Sequence, residues 1–113
     1  MSRFKLTTAL CVGAIGAAAL SPSLALAAGD AEQGKVKAIP CLGCHGIPGY
    51  ANVYPTYHVP KVAGQHAQYL ELALKAYRDG NRSHKTMIAQ AASLSDQDIA
   101  DIAAYFATVE SED

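Results

Sequence analysis

The sequence predicts an all-α domain of about three main helices and long loops, wrapped around a bound group that supplements its core. Two segments space their apolar residues as helices do, and no segment alternates apolar and polar residues as a half-buried strand would. Once a predicted export signal is removed, the remaining 86 residues can bury only a small side-chain core. A domain of this length usually needs a disulfide, a metal or a cofactor for stability.

The first 27 residues form the predicted export signal. A basic start, MSRFK, precedes an apolar stretch over residues 6–20, and Ala25 and Ala27 supply small residues before the expected cleavage point. The apolar stretch is shorter than the ~20 residues that cross a bilayer, so we expect cleavage and no membrane span afterwards. The predicted organisation is a signal peptide, 1–27, followed by one periplasmic domain, 28–113.

The charge of the exported domain excludes one class of partner. Cleavage removes Arg3 and Lys5 and leaves seven basic residues against ten acidic ones. A nucleic-acid-binding domain carries a basic excess, so we expect no nucleic-acid partner. Cys11 also leaves with the signal, and the domain keeps only Cys41 and Cys44.

The first predicted helix covers about residues 31–39. Asp30 and Gln33 stand three apart, as in a capping box. Pro40 should either end this helix or kink it and let it continue through the cysteines. Residues 46–64 contain three prolines and three tyrosines, which predicts an irregular loop.

Two further helices follow this loop. AQYLELALKAYRD, residues 67–79, has apolar side chains at helical spacing and Gly80 as its predicted C-terminal cap. Residues 81–94 have a mixed, loop-like composition with room for a short helical turn. LSDQDIADIAAYFATVE begins with Ser95 and Asp98 as a predicted cap pair and presents one apolar face.

The motif CLGCH, residues 41–45, allows three interpretations. A redox dithiol needs a preceding strand, which the sequence does not predict, and it leaves His45 without a role. A structural zinc site needs four ligands, commonly a second closely spaced pair, and no second C-x-x-C is present. C-x-x-C-H is also the attachment signature of haem c, in which Cys41 and Cys44 form thioethers and His45 ligates the iron. This interpretation uses all three residues and agrees with export.

The second axial ligand of such a haem is predicted to be Met87. His/Met ligation is the arrangement of electron-transfer cytochromes, and Met87 is the single methionine left after signal removal. Its surroundings, GNRSHKTMIAQ, are polar, which argues against a core-filling role. The rival ligands are His84, His66 and His58, and an open position would instead indicate a sensor or peroxidase.

Four stretches together resemble class I cytochromes c: GKVKAIPCLGCHG, PKVAGQHAQYLELALKAYRDGNR, Met87 and LSDQDIADIAAYFA. The resemblance is to small bacterial periplasmic cytochromes and to one half of the dihaem type. It implies one haem c and makes Gly34 the helix-crossing glycine on which Tyr105 packs. It also implies a proline carbonyl that accepts a hydrogen bond from His45, assigned to Pro55 with Pro48 and Pro60 as rivals. The tyrosine-rich run over residues 47–60 departs from the family.

The resemblance implies a one-electron carrier and no enzyme activity of its own. It would carry electrons between its redox partners, a membrane complex on one side and a terminal oxidase or reductase on the other. Alternatively, the chain is the haem subunit of a periplasmic dehydrogenase that oxidises sulfur compounds or alcohols. A basic cluster is either a solvated helix face or a collar that steers an acidic partner; it comprises Lys61, Lys75, Arg78, Arg82 and Lys85.

Overall fold

The computed structural model of the protein describes residues 28–110, which form five helices and one small sheet. In chain order these are α1 (Ala31–Lys37), α2 (Ile39–His45), β1 (Ala51–Val53), β2 (Thr56–His58), α3 (Ala67–Arg78), α4 (Lys85–Ala91) and α5 (Asp96–Thr108). The predicted signal peptide, 1–27, lies outside the described residues. Among the described residues, no helix is long and apolar enough to cross a membrane.

The first predicted helix is divided in two next to Pro40. α1 ends at Lys37, and α2 begins at Ile39 with Pro40 in its first turn. Proline is tolerated there because the first N–H groups of a helix have no intrahelical acceptor. The chain therefore kinks and continues through the cysteines, which is one of the two predicted outcomes.

The prediction that the domain contains no sheet is wrong. β1 and β2 form an antiparallel hairpin within the segment predicted to be an irregular loop. Two side chains close its turn: Asn52 Nδ2 donates to the Pro55 carbonyl at 3.0 Å, and Thr56 Oγ1 donates to the Val53 carbonyl at 2.8 Å. Each strand has only three residues, which is too short for an alternating pattern to be recognised in the sequence.

The predicted end of α3 is confirmed. Gly80 has a positive φ of 77°, a conformation that costs glycine little. The N–H of Asn81 donates to the Ala76 carbonyl at 2.8 Å, and the N–H of Gly80 donates to the Tyr77 carbonyl at 3.3 Å. These two bonds form a Schellman cap.

The segment predicted to be loop-like, 81–94, contains the seven-residue helix α4. His84 caps it, because its Nδ1 accepts from the Met87 N–H at 3.4 Å. A histidine cap is outside the usual set of capping residues, so the start of this helix carries no recognisable signal in the sequence. At α5 the predicted pair is confirmed, since Ser95 and Asp98 form a reciprocal capping box.

The predicted close crossing at Gly34 is also confirmed. A Cβ atom added to Gly34 would lie 1.9 Å from the Asp101 carbonyl oxygen and 2.8 Å from Cβ of Tyr105. α1 can therefore approach α5 only because residue 34 has no side chain. Gly29 makes a second close approach that sequence analysis missed, since a Cβ atom added there would lie 1.9 Å from the Ala100 carbonyl oxygen.

The core lies where α1 and α3 pack on α5. Its buried members are all apolar: Ala38, Leu70, Ile102, Ala103 and Phe106. Partly buried apolar residues of α2, α3, α5 and the connecting loops surround this cluster. The core is small, as the length of the domain predicts.

One carboxylate is buried beside this core. Asp101 is only 2% exposed, and both of its oxygens are hydrogen-bonded. Oδ1 accepts from the Asp30 N–H at 2.8 Å and from Gln97 Nε2 at 2.7 Å, and Oδ2 accepts from Lys37 Nζ at 2.6 Å. The Asp30 N–H, followed by Lys37, lowers the pKa of Asp101, and Lys37 also lowers the pKa of Asp98. These bonds tie both ends of α1 to α5.

Candidate cofactor site

The two cysteines lie on successive turns of α2. They are three residues apart, a spacing that places both side chains on the same side of a helix. The two cysteines form no disulfide with each other; Cys41 is half-buried against the core and Cys44 is exposed. Burial raises the pKa of the Cys41 thiol. The pair can therefore present two sulfurs in one direction.

His45, the last residue of α2, has a fixed ring orientation. Its Nδ1 lies 2.7 Å from the Pro60 carbonyl oxygen. A carbonyl oxygen only accepts, so Nδ1 carries the proton and Nε2 of the neutral ring has a free lone pair. This nitrogen is available to a metal, and the hydrogen bond holds the ring in one orientation.

The assignment of the acceptor to Pro55 is wrong. The Pro55 carbonyl accepts from Asn52 in the hairpin turn, and the rival Pro60 holds His45. The hairpin accounts for the difference, because Pro55 lies in its turn and the acceptor for His45 comes after β2, at Pro60.

The loop that carries Pro60 is anchored on α5. The Gly64 N–H donates to the Phe106 carbonyl at 2.9 Å, and Val62 packs against the core. Gly64 has a φ of 75°, which a residue with a side chain adopts only at a cost. The acceptor for His45 is therefore held by the scaffold of the domain.

A cavity of about 400 Å³ opens beside His45. This volume lies within the range of ~300–1,000 Å³ found for small-molecule and cofactor sites. Its walls are mainly apolar and come from α2, the loops around the hairpin and α5; they include Leu42, Cys44, Ile47, Val59, Pro60 and Phe106. A thiol, an imidazole with a free nitrogen and apolar walls fit a haem bound through this motif.

Met87 lies on α4 and is half-buried. It is not among the described residues that line the cavity. Its backbone N–H donates a hydrogen bond to His84 Nδ1, and the residue belongs to the first turn of α4. The axial role of Met87 therefore remains a prediction.

The three rival histidines have different surroundings. His58 is exposed on β2, and His66 is exposed at the residue before α3. His84 is half-buried, caps α4 and meets the Tyr57 ring edge to face, with centroids 4.8 Å apart. Sequence analysis missed this contact because it joins two segments predicted to be loops.

The two alternative interpretations of CLGCH receive no support. Within residues 28–110, no three His, Cys, Asp or Glu side chains come together as a metal site would require. The motif follows helix α1 and not a strand, so the setting of a thioredoxin-like dithiol is missing from the described residues.

The predicted basic cluster divides into two groups. Arg78 is engaged within the fold, since its Nη1 donates to Asp96 at 2.7 Å and to the Leu94 carbonyl at 3.2 Å. Lys75 faces Glu71 at 3.8 Å on the same helix. Lys61 lines the cavity, and Lys85 is exposed at the start of α4. Arg82 lies over the Tyr77 ring, 4.7 Å from its centroid, so Lys75, Arg78 and Arg82 are each engaged by a neighbouring side chain of the fold.

Comparison with known proteins agrees with this geometry. A family model for cytochrome c matches residues 31–110. The chain is 48% identical over 86 residues to cytochrome c-554(548) of Halomonas halodenitrificans, covering 74% of this chain and 100% of that protein. It is 47% identical over 85 residues to cytochrome c4 of Pseudomonas aeruginosa, covering 75% of this chain but only 41% of that longer protein.

The fold matches a solved structure as well. The crystal structure of reduced recombinant cytochrome c4 from Pseudomonas stutzeri superposes with a TM-score of 0.55 at 31% identity, over 74% of this chain and 53% of that one. The predicted class I cytochrome c fold is confirmed, with a hairpin and a short helix added to the three predicted helices. The chain therefore belongs to the cytochrome c family, whose members bind haem c covalently.

Proposed function

We propose that this protein is a periplasmic one-electron carrier with one haem c, held by Cys41 and Cys44 and ligated by His45 and Met87. The observation that carries the proposal is the 2.7 Å hydrogen bond between His45 Nδ1 and the Pro60 oxygen, at a cavity that Cys44 also lines. When bound, the haem supplies an iron that is reversibly oxidised and reduced by one electron. The residues around it hold the group, exclude water and set its potential.

The cysteines would anchor the cofactor from one side. Because Cys41 and Cys44 are one helical turn apart on α2, their sulfurs can reach the same edge of a macrocycle. The half-buried position of Cys41 against the core would join the cofactor to the centre of the domain. The apolar cavity walls would then pack against the large flat surface of the haem. The haem would in this way add apolar surface that the small core lacks.

Met87 is favoured over the histidines as the second ligand. The Nδ1 of His84 accepts the Met87 N–H, so in the neutral ring the proton is on Nε2. This tautomer has no lone pair for an iron unless the cap of α4 is broken. His58 and His66 are exposed, and no contact within residues 28–110 fixes their side chains in the way that the cap of α4 fixes His84.

His45 and Met87 together would hold the iron and leave no position on it for a substrate, so the proposed activity is electron exchange alone. This ligand set can be tested with carbon monoxide, which binds reduced haem only at an open or easily vacated position. We expect no binding by the wild-type protein and ready binding by Met87→Ala. Carbon monoxide binding by wild-type protein would instead indicate a sensor or peroxidase.

On the partner side, we propose a free carrier. The exposed Lys85 and the cavity-lining Lys61 provide positive charge for an acidic partner surface. The alternative is a haem subunit of a periplasmic dehydrogenase. Size measurement of the native protein in periplasmic extract separates the two: a free carrier elutes near the mass of one chain, and a subunit elutes with a larger protein.

A further inference from the structure

The tyrosine-rich hairpin has no role in the site described so far. The segments on either side of it line the cavity through Ile47 and Val59, and its turn projects into solvent, where Tyr54 is 92% exposed. One of its tyrosines behaves differently. Tyr57 of β2 is half-buried and contacts the start of α4, the helix that carries Met87.

Two contacts join Tyr57 to α4. Its ring meets the His84 ring at 4.8 Å between centroids with an angle of 88° between planes. Its hydroxyl donates to Thr86 Oγ1 at 3.4 Å. His84 in turn accepts the Met87 N–H through Nδ1 at 3.4 Å. A chain of contacts therefore runs from the hairpin through His84 to the backbone of Met87.

The chain after β2 leads to the support of the other proposed ligand, His45. Pro60, three residues after Tyr57, accepts the hydrogen bond from His45. At a rise of ~3.3 Å per residue, an extended chain covers about 10 Å between these two positions. The segment from Tyr57 to Pro60 thus contacts the support of Met87 at one end and His45 at the other.

We propose that Tyr57 is a positioning residue for the axial ligand Met87, acting through His84 and Thr86. This inference rests on the proposed function, since it requires Met87 to ligate the iron. α4 has only seven residues and would be marginal as an isolated helix, so its first turn depends on contacts from outside. The hairpin supplies such contacts and so reduces the population of the state in which Met87 is detached from the iron.

The experiment measures how easily imidazole replaces Met87 in the oxidised holoprotein. Imidazole binds only when Met87 has left the iron, so its apparent affinity reports the population of the detached state. For Tyr57→Ala we expect the affinity to rise about two- to tenfold, the range that a single aromatic contact represents. Tyr57→Phe keeps the ring against His84 and loses only the 3.4 Å bond to Thr86, so its imidazole affinity should lie between those of wild type and Tyr57→Ala.

Tyr54→Ala is the matched control, because it removes a tyrosine from the same hairpin at an exposed position. Its imidazole affinity should equal that of wild type. Far-ultraviolet circular dichroism of each variant shows whether the domain is folded. If Tyr57→Ala does not fold, His84→Asn removes the ring contact from the other side while keeping a strong capping residue, and it should show the same rise.

The outcomes separate this inference from the proposed function. Wild-type protein without the far-red sulfur-to-iron band of His/Met ligation would contradict the ligand set, and the role of Tyr57 with it. Wild-type protein with that band, but equal imidazole affinities in Tyr57→Ala and Tyr54→Ala, would overturn the role of Tyr57 alone. Equal affinities in His84→Asn and wild type would overturn it in the same way.

Discussion

The crossing of α1 over α5 at Gly34 should be intolerant of even one added methyl group. A Cβ at this position would lie 1.9 Å from the Asp101 carbonyl oxygen, where ordinary contacts begin near 3.4 Å. The obstructing atoms belong to the backbone of α5 and cannot rotate away. α1 would have to move outward by about 1.5 Å, and the bonds between Asp101 and both ends of α1 would lengthen.

Overpacking of this kind typically costs about 1–3 kcal/mol. The clash is with backbone atoms, which favours the upper part of this range, about 2–3 kcal/mol. Alanine regains about 1 kcal/mol over glycine through its helix propensity, so a net loss of about 1–2 kcal/mol is expected for Gly34→Ala. In a domain of 60–100 residues each kcal/mol corresponds to about 4–8 °C, which predicts a fall in Tm of about 4–16 °C. Thermal unfolding of the holoprotein, followed by circular dichroism, measures this value.

Gly43→Ala is the matched control for this measurement. Gly43 lies in helix α2, and a Cβ atom added there would have nothing within 4 Å. The same substitution there should leave Tm unchanged or raise it by a few degrees, provided that haem content is equal. A Tm for Gly34→Ala equal to or above that of Gly43→Ala would refute the argument from close approach.

The remaining predictions concern ion pairs and attachment. Lys37→Met should lower Tm at pH 7. Because Asp101 has a lowered pKa, the stability that it contributes is present above about pH 4 and is lost as the pH falls below that value. The difference in Tm between Lys37→Met and wild type should therefore shrink in acid, and a difference that stays constant with pH would contradict this. The double variant Cys41→Ala/Cys44→Ala should release its haem on acid–acetone extraction; full retention would refute thioether attachment. Arg78→Ala should lower Tm, because it breaks the bonds to α5 and the preceding loop, but leave the rate of electron exchange unchanged. An unchanged Tm with a slower electron exchange would instead show a steering role.

Local signals in the sequence predicted the parts of the fold that depend on neighbouring residues. Ser95 and Asp98 define the start of α5, and Gly80 defines the end of α3, because each cap is built from residues a few positions apart. The C-x-x-C-H motif is likewise local and located the candidate site. Gly34 was identified through the family resemblance, and its close packing agrees with that assignment.

Features that depend on distant contacts were missed or misassigned. The acceptor for His45 is a backbone carbonyl, which any residue carries, so the sequence could not distinguish Pro60 from Pro55. Asp101 lies on the face of α5 turned toward α1, and its partners include Asp30, 71 positions earlier in the chain. The contact of Tyr57 with His84 joins two segments whose folding depends on each other, and neither has a strong periodic pattern.

The central claim is that His45 and Met87 ligate a covalently bound haem c. The visible absorption spectrum of the exported protein, oxidised and then reduced, tests it most directly, with Met87→Ala measured alongside. The account predicts c-type bands in both proteins, a weak far-red band in the oxidised wild type alone, and a lower reduction potential in Met87→Ala. An oxidised wild-type spectrum without the far-red band, or a band that survives in Met87→Ala, would contradict it.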